Sequence, residues 1–219
     1  DTYARVVGGN YMFHRQLGDA LRTALCDHLR GRPFSFLDLG CGDAATLAPI
    51  LQDLPVKHYR GADLSEAALA VARHNLSELG CPVELRHADM CDELLAQTAP
   101  VDVIYSSFAL HHLSHDQKAE FFRAASQQLA PDGVMLLVDV MREEDQSLDV
   151  YHRAYTRWLR ATMTGLEPSE HDAICEHIVH NDFPEPWSAI ETMASRAGLR
   201  PVSMTAPQIW HRLMVFVRA

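Results

Sequence analysis

The apolar positions of this chain follow two spacings, one typical of helices and one typical of buried strands. Residues 11–30 carry leucines at every fourth position, from Leu17 to Leu29, which predicts an amphipathic helix. Between residues 34 and 140, short apolar runs alternate with segments of helical spacing. The pattern predicts strands at 34–39, 58–63, 83–87, 101–106 and 133–140, and helices at 44–53, 65–79, 91–95 and 115–129. Such an alternation indicates a parallel sheet that is covered by helices on both faces.

The last third of the chain departs from this alternation. Residues 141–186 have the pattern of two helices, at about 146–164 and 169–180, that a parallel sheet with crossover helices does not require. A further helix is predicted at 187–198. Two β-rich runs then lie close together within 202–217, which predicts an antiparallel hairpin at the edge of the sheet.

The end of the first predicted strand carries the most informative motif of the chain. Residues 36–44 read Phe-Leu-Asp-Leu-Gly-Cys-Gly-Asp-Ala, which indicates a strand, a tight turn and the start of a helix. Gly40 and Gly42 allow the backbone to turn sharply and to approach a ligand closely. A dinucleotide fold opens in a similar way, and Gly40, Gly42 and Ala45 fit its pattern. Asp38, however, favours a ligand with a positively charged amino group over a pyrophosphate.

The next strand ends in a second acid. Residues 59–65 indicate a strand that stops at Asp63 and a helix that is capped by Ser65. A carboxylate at this strand end suits hydrogen bonding to the hydroxyl groups of a ribose.

With these two strand ends, the sequence resembles the class I S-adenosylmethionine-dependent methyltransferases. His-Ala-Asp-Met at 87–90 is similar to the acidic motif that follows the third strand of that family. Residues 101–113 resemble its fourth strand and the loop that faces the methyl group, and 129–134 resemble its turn into the fifth strand. The chain departs from the usual pattern at Ala44 and Asp132, where many members have glycine.

The resemblance implies the fold and its division. It implies an α/β fold with a doubly wound, Rossmann-like sheet of seven strands, mostly parallel with the antiparallel C-terminal hairpin, and a helical lid. We expect one domain over 1–219, made of an N-terminal cap helix (1–30), a cofactor-binding core (34–140), a lid (141–186) and a C-terminal helix with the hairpin (187–219).

The resemblance also implies the contacts of the cofactor S-adenosyl-L-methionine, whose product is S-adenosyl-L-homocysteine. Gly40 and Gly42 are expected to approach its methionine part, with Asp38 near the amino group. Asp63 is expected to hold the ribose. The other expected cofactor contacts are Leu64, Asp89 and Met90 at the ribose and adenine, Ser106 through its backbone, and Tyr11, which follows Tyr3 in a stretch that covers the cofactor in many relatives.

Candidate catalytic and substrate residues lie in the loop after the fourth strand and in the lid. His112 or His111 is expected to act as a general base or to anchor the substrate, although a His-His-Leu run at a helix start is also compatible with simple packing. His152, Tyr155 and Trp210 are the candidates for contact with the substrate. The aromatic face of helix 146–164 is more typical of a helix packed on the core than of a substrate pocket.

We predict no metal site from the sequence. His177, His180 and Asp182 lie close together in the chain, but zinc sites need three or four ligands in a supporting geometry. Histidines three residues apart on a surface helix are more often simply exposed.

Composition limits the partners of the protein. The net charge of -10 disfavours a large nucleic-acid interface, which needs clustered Lys and Arg, so a small or cationic substrate fits better. The chain has five cysteines without a Cys-x-x-Cys pair, which is typical of a reduced protein of the cytoplasm. No apolar run reaches the length of a membrane span. A monomer and a homodimer are both compatible with the pattern.

The predicted function is methyl transfer to a small-molecule acceptor by in-line displacement. Three alternatives remain at this point: an enzyme that modifies the sulfonium of the cofactor itself, similar to carboxy-S-adenosylmethionine synthase; a non-catalytic regulator that binds the cofactor; and a nicotinamide oxidoreductase. Asp38 and the series of motifs disfavour the last.

Overall fold

The computed structural model describes residues 2–219, without the side chains of Tyr3 and Ala4. The helices are α1 (Thr2–Gly8), α2 (His14–Leu29), α3 (Ala48–Leu51), α4 (Glu66–Asn75), α5 (Met90–Leu95), α6 (His115–Gln128), α7 (Leu148–Thr162), α8 (Pro168–Asn181) and α9 (Trp187–Arg196). The strands are β1 (Phe34–Leu39), β2 (Val56–Asp63), β3 (Val83–His87), β4 (Val101–Ser107), β5 (Leu129–Val140), β6 (Leu199–Thr205) and β7 (His211–Arg218). A single 3-10 turn, Leu110–His112, lies between β4 and α6.

The seven strands form one sheet in the order β3-β2-β1-β4-β5-β7-β6. β1 pairs in parallel with both β2 and β4, while β7 runs antiparallel between β5 and β6. This arrangement confirms the predicted α/β fold with its antiparallel hairpin. The chain changes direction across the sheet between β1 and β4. Ligands of open α/β sheets bind in the crevice at such a switch point, beyond the carboxyl ends of the strands.

The predicted helix at 44–53 is wrong at its start. Only Ala48–Leu51 are α-helical. Ala44 has a φ of +54°, a left-handed conformation that cannot belong to a right-handed helix. The turn that begins at Gly40 therefore continues through the position where many relatives have glycine.

Hydrophobic clusters cover both faces of the sheet. On one face, α5, α6 and α9 pack on the strands through residues such as Phe121, Phe122 and Met193. On the other, the leucines of α2 pack with side chains such as Phe36 and Tyr59. Burial on both faces explains the nearly continuous apolar runs of the central strands β1, β4 and β5.

A third cluster joins the sheet to the segment 141–186, which contains α7 and α8 and is called the lid below. Tyr151 and Tyr155 of α7 are stacked on each other and pack against Trp210, next to β7. Val6 brings α1 into the same cluster, and Thr2 Oγ1 donates a hydrogen bond to Glu170 of α8. The aromatic face of α7 is therefore a packing surface.

None of the helices in the described part of the chain combines the length and the apolar character that a bilayer crossing needs.

His211 lies where the sheet meets the lid. Its ring is fully buried, with Nε2 3.1 Å from the hydroxyl oxygen of Tyr155. Burial, together with the nearby charges of His14 and Arg212, lowers the pKa of His211 to about 3. Burial also lowers the pKa of His14 to about 4. Both rings are therefore neutral in the folded protein at neutral pH.

We expect acid to destabilise the fold through these two rings. The pKa of each ring in the folded protein lies below its unfolded value of about 6.5. The contribution of the two neutral rings to the free energy of unfolding is therefore fully present above pH 6.5 and is lost as the pH falls below 6.5. At pH 5 each ring should have lost about 2 kcal/mol of unfolding free energy. Urea unfolding at pH 7.5 and pH 5 measures the loss.

His211→Gln should remove about half of this acid sensitivity, and His74→Gln, at an exposed position of α4, should leave it unchanged. Equal acid sensitivity in the two variants would contradict the assignment.

Candidate functional site

The turn after β1 forms the floor of the site. Gly40 and Gly42 have φ values of +74° and +52°. The amide groups of Gly40 and Cys41 both donate to the carbonyl oxygen of Ala62, at 2.9 and 3.0 Å. A Cβ on Gly40 would lie 2.6 Å from the Cβ of Ala109, in the loop after β4. Glycine is therefore required at position 40 both for the backbone conformation and for the contact between the two loops.

Asp63, the last residue of β2, joins two turns. Its Oδ2 accepts a hydrogen bond from the amide of Gly42, and its Oδ1 accepts one from the amide of Ser65, each at 2.8 Å. Ser65 in turn caps α4 through the amide of Ala68. The carboxylate is thus held in a fixed orientation at the carboxyl ends of β1 and β2.

Asp38 is the buried acid beneath the turn. Its Oδ2 accepts a hydrogen bond of 2.6 Å from the Tyr59 hydroxyl, whereas Oδ1 has no partner among the described residues. Burial raises the pKa of Asp38 to about 7; the Tyr59 hydrogen bond opposes this shift and the charge of Asp63 adds to it. An unpaired oxygen on a buried carboxylate is costly. A ligand that donates from a positively charged group would remove this cost.

The side of the site near β3 combines an acid with apolar residues. Asp89 caps α5 by accepting, through Oδ1, hydrogen bonds from the amides of Cys91 and Asp92. Leu64 is 68% exposed, and Met90 lies next to Asp89. Apolar side chains flanking an acid suit a flat ring that carries an amino group.

These residues surround a cavity of about 700 Å³ at the switch point between β1 and β4. The predicted site residues that line it are Asp38, Gly40, Gly42, Asp63, Leu64, Asp89, Met90 and His112. Asp43 adds a further carboxylate to the wall. No Lys or Arg stands among the described residues that line the cavity. The cavity is therefore strongly acidic, and it fits a cationic ligand.

The loop after β4 forms the opposite wall. Ser107, Phe108, Ala109, His112 and Leu113 line the cavity there. Phe108 has a φ of +49°, a left-handed conformation that is unusual for a residue with a large side chain. Strained backbone of this kind clusters at functional sites. No pattern in the sequence indicates the left-handed conformation of Phe108.

His111 is buried behind this wall and is fixed by Asp139 of β5. Its Nδ1 lies 2.5 Å from Asp139 Oδ1, and its amide donates to Asp139 Oδ2 at 3.0 Å. On the other side of the ring, Nε2 lies 3.7 Å from Asp182 Oδ1. The ring orientation is therefore set by two carboxylates, of which Asp139 was not singled out from the sequence.

His112 is half-exposed and faces the cavity. Its Nδ1 lies 3.1 Å from the carbonyl oxygen of Asn181 and 3.3 Å from Asp182 Oδ1. Burial lowers the pKa of His112, but the neighbouring Asp182 and the Asn181 carbonyl group outweigh it, so the pKa is raised overall.

The segment 181–185, at the end of the lid, is attached to the histidine loop at several points. The amide of Phe183 donates to the carbonyl oxygen of His111 at 2.7 Å. The buried Lys118 donates to the carbonyl oxygens of Leu113 and Phe183, each at 2.5 Å. His152 Nε2 lies 3.0 Å from the carbonyl oxygen of Asp182. Loop and segment therefore form one rigid wall.

Several predicted site residues are not among those that line the cavity. Ser106 is buried and donates to the carbonyl oxygen of Leu39, and its neighbour Ser107 reaches the cavity instead. Tyr11 lies beside the lid, where its hydroxyl accepts a hydrogen bond from the amide of Gly165. The side chain of Tyr3 is outside the described residues. His152 and Tyr155 are buried on α7 within the lid, and Trp210 is buried next to β7. Their predicted roles stay predictions.

Comparison with known proteins places this geometry among methyltransferases. Residues 36–133 match the sequence profile of the family described as "Methyltransferase domain". The chain is 33% identical over 129 residues to the cyclopropane mycolic acid synthase MmaA2 of Mycobacterium tuberculosis. This alignment covers 57% of this chain and 42% of that protein. It is 23% identical over 127 residues to carboxy-S-adenosyl-L-methionine synthase 1 of Yersinia pseudotuberculosis, with 56% of this chain and 53% of that protein covered. The chain thus spans about half the length of these curated relatives.

A solved structure supports the same fold. The magnesium protoporphyrin IX methyltransferase ChlM of Synechocystis, bound to S-adenosylhomocysteine, superposes with a TM-score of 0.67 at 16% identity. The superposition covers 99% of this chain and 86% of that one. At this identity the likeness shows the fold alone.

Substitution of the two glycines should separate backbone strain from the loop contact. Gly42→Ala should cost about 1 kcal/mol of unfolding free energy, because a Cβ there meets no atom within 4 Å and only the left-handed backbone is unfavourable. Gly40→Ala should cost roughly 2–4 kcal/mol, because overpacking against Ala109 is added. Urea unfolding of both variants measures the difference, and equal losses would show that the Ala109 contact is unimportant.

Proposed function

We propose that the chain transfers a methyl group from S-adenosylmethionine to a small-molecule acceptor, and the match of residues 36–133 to the methyltransferase-domain family supports this proposal. The observation that carries the proposal is the unpaired Oδ1 of the buried Asp38, at the base of an acidic cavity. The amino group of S-adenosylmethionine is the kind of donor that this oxygen lacks.

The contacts proposed for the cofactor follow the lining of the cavity from the turn after β1 to the end of β3. Asp38 would hold the amino group beside Gly40 and Gly42, whose missing side chains leave room for the methionine part. Asp63 would accept hydrogen bonds from the ribose hydroxyl groups. Leu64, Met90 and Asp89 would hold the adenine ring, the first two through apolar contact and Asp89 through the exocyclic amino group. When bound, S-adenosylmethionine supplies an electrophilic methyl group on a sulfonium.

The reaction that follows is an in-line displacement. The bound sulfonium would supply the methyl group: a lone pair of the acceptor would bond to the methyl carbon, and the electron pair of the broken carbon–sulfur bond would stay on sulfur, giving S-adenosylhomocysteine. A protic acceptor must also lose a proton. His112 is the candidate for assisting that loss, because it is the imidazole that lines the cavity within the part of the chain that the structure describes. His111, buried behind it, would position that wall.

The acidic cavity favours neutral or cationic acceptors. A phosphorylated or carboxylated acceptor would need a cation near the reacting group, and the described lining contains neither Lys nor Arg. The same observation disfavours modification of the sulfonium with a carboxylate, which is the chemistry suggested by the similarity to carboxy-S-adenosyl-L-methionine synthase 1. A small-molecule acceptor also agrees with the net charge of -10, which disfavours nucleic acid.

Calorimetric titration with S-adenosylmethionine and S-adenosylhomocysteine tests the proposal. We expect binding of both in the micromolar range and at least a tenfold loss of affinity in Asp63→Ala, because the ribose acceptor and the anchor of the glycine turn are both removed. Asp53→Asn is the matched control, since this exposed acid pairs with Arg22 away from the cavity.

Absence of binding by the folded chain would refute the proposal. Binding without S-adenosylhomocysteine release from any of a panel of neutral and cationic acceptors would favour the non-catalytic alternative.

The pKa of Asp38 predicts how cofactor affinity depends on pH. Burial raises this pKa to about 7, and a positively charged amino group binds the ionised carboxylate. Affinity should therefore be constant above pH 7 and fall by up to about tenfold per pH unit below it. Titrations between pH 8 and pH 5.5 measure the slope. Asp38→Asn should bind more weakly with little dependence on pH, and an unchanged slope in this variant would exclude Asp38 as its source.

A further inference from the structure

Three potential metal ligands converge beside the cavity. They are His111 Nε2, His112 Nδ1 and Asp182 Oδ1, and all of them lie within 4.8 Å of one another. The carboxylate oxygen lies 3.7 Å from His111 Nε2 and 3.3 Å from His112 Nδ1. Tetrahedral ligands about 2.0–2.1 Å from a zinc ion are roughly 3.3 Å apart, so small side-chain rotations would complete the arrangement.

The surroundings of His111 match those of a metal-bound histidine. A ligating imidazole usually donates its other N–H group to a carboxylate, which fixes the tautomer and the orientation of the ring. Asp139 occupies this position, 2.5 Å from His111 Nδ1. With the proton on Nδ1, the lone pair of Nε2 points away from Asp139, on the side of Asp182.

Asp182 gives the second, independent observation. Only 6% of its side-chain surface is exposed, and its Oδ1 accepts no well-aligned hydrogen bond from the described residues. A buried carboxylate oxygen without a hydrogen-bond donor has an unfavourable environment. A cation placed between this oxygen and His111 Nε2 would make it favourable.

The backbone around Asp182 is already fixed for such a role. His152 contacts its carbonyl oxygen, and the amide and carbonyl groups of the next residue, Phe183, bond to His111 and Lys118. The acid therefore cannot move away from the histidines without breaking several hydrogen bonds. Preorganised ligands of this kind favour metal binding.

We propose that His111, His112 and Asp182 bind a divalent first-row transition-metal cation of the zinc class. Two imidazoles and one carboxylate exclude a preference for magnesium or calcium, which take oxygen ligands. His112 would exchange its contact with the Asn181 carbonyl oxygen for the metal. Three protein ligands leave an open coordination position, as in catalytic zinc sites. Because His112 lines the cavity, that position lies on the side of the cavity.

The position of the site suggests its use. With the cation bound, His112 would be a ligand and would not accept the acceptor's proton. The cation would instead lower the pKa of a hydroxyl or thiol acceptor that coordinates it, so that the acceptor would lose its proton to water before methyl transfer. This role rests on the proposed function, whereas metal binding itself does not. The histidines grouped near Asp182 from the sequence, His177 and His180, are not part of the site.

Titration of the chelator-treated full chain with Zn²⁺, and with Co²⁺ followed by visible absorption, tests the proposal. We expect one Zn²⁺ per chain and a Co²⁺ spectrum of nitrogen and oxygen ligation. His112→Ala and Asp182→Asn should each weaken binding at least 100-fold, and Asp139→Asn by 10–100-fold. His112→Ala alters a half-exposed side chain, so it tests the site even where the buried Asp182→Asn fails to fold.

His177→Ala is the matched control, because its ring lies 5.5 Å from that of His112 on the exposed surface. It should change the affinity less than threefold. Lack of stoichiometric binding, equal binding by His112→Ala, or loss of binding in His177→Ala would each overturn the proposal. Titration of the metal-free chain with S-adenosylmethionine separates the two proposals. Binding of the cofactor without binding of Zn²⁺ would refute only the metal site. Binding of Zn²⁺ without binding of the cofactor would refute only the methyltransferase function.

Discussion

The contact between the Gly40 backbone and Ala109 is the constraint on which the site depends. It brings the turn after β1 against the loop after β4, at the point where the chain changes direction across the sheet. A side chain at position 40 would separate these two walls. Asp63 then ties the same turn to the start of α4, so the loops after the neighbouring strands β2, β1 and β4 are positioned relative to one another before any ligand binds. The cavity is thus a consequence of backbone packing, which makes it preorganised.

The parallel sheet explains why the cavity is acidic. The carboxyl ends of its parallel strands meet at one edge, and acids at or just beyond those ends therefore collect there. Asp38 on β1, Asp63 on β2 and Asp89 after β3 line the cavity, and Asp139 on β5 lies behind its wall. Each is held by a different partner, so the carboxylates do not simply repel one another. Asp38, the most buried, carries the raised pKa that this crowding and burial produce. A cationic ligand would stabilise the carboxylates along this edge of the sheet.

The fold was largely predictable, because local spacing decides it. β1 and β3 begin and end at the predicted residues. β1 is a buried apolar run, whereas β3 lies at the edge of the sheet, where Val83 and Leu85 alternate with charged residues. Ala44 was misassigned, because alanine is a good helix former and only the tertiary turn forces it into a left-handed conformation. Asp139 and Asp182 were not recognised as partners of His111. They lie 28 and 71 positions away in the chain, and only the folded sheet and lid bring them together.

The position of the lid bears on where acceptor specificity lies. The aromatic face of α7 packs against Trp210 and His211, and none of its described side chains lines the cavity. The lid instead reaches the site through the segment 181–185, which is bonded to the histidine loop. Changes in the lid would therefore be transmitted to His112 through Asp182 and Phe183. We infer that these few residues, more than the aromatic face, adapt the site to its acceptor.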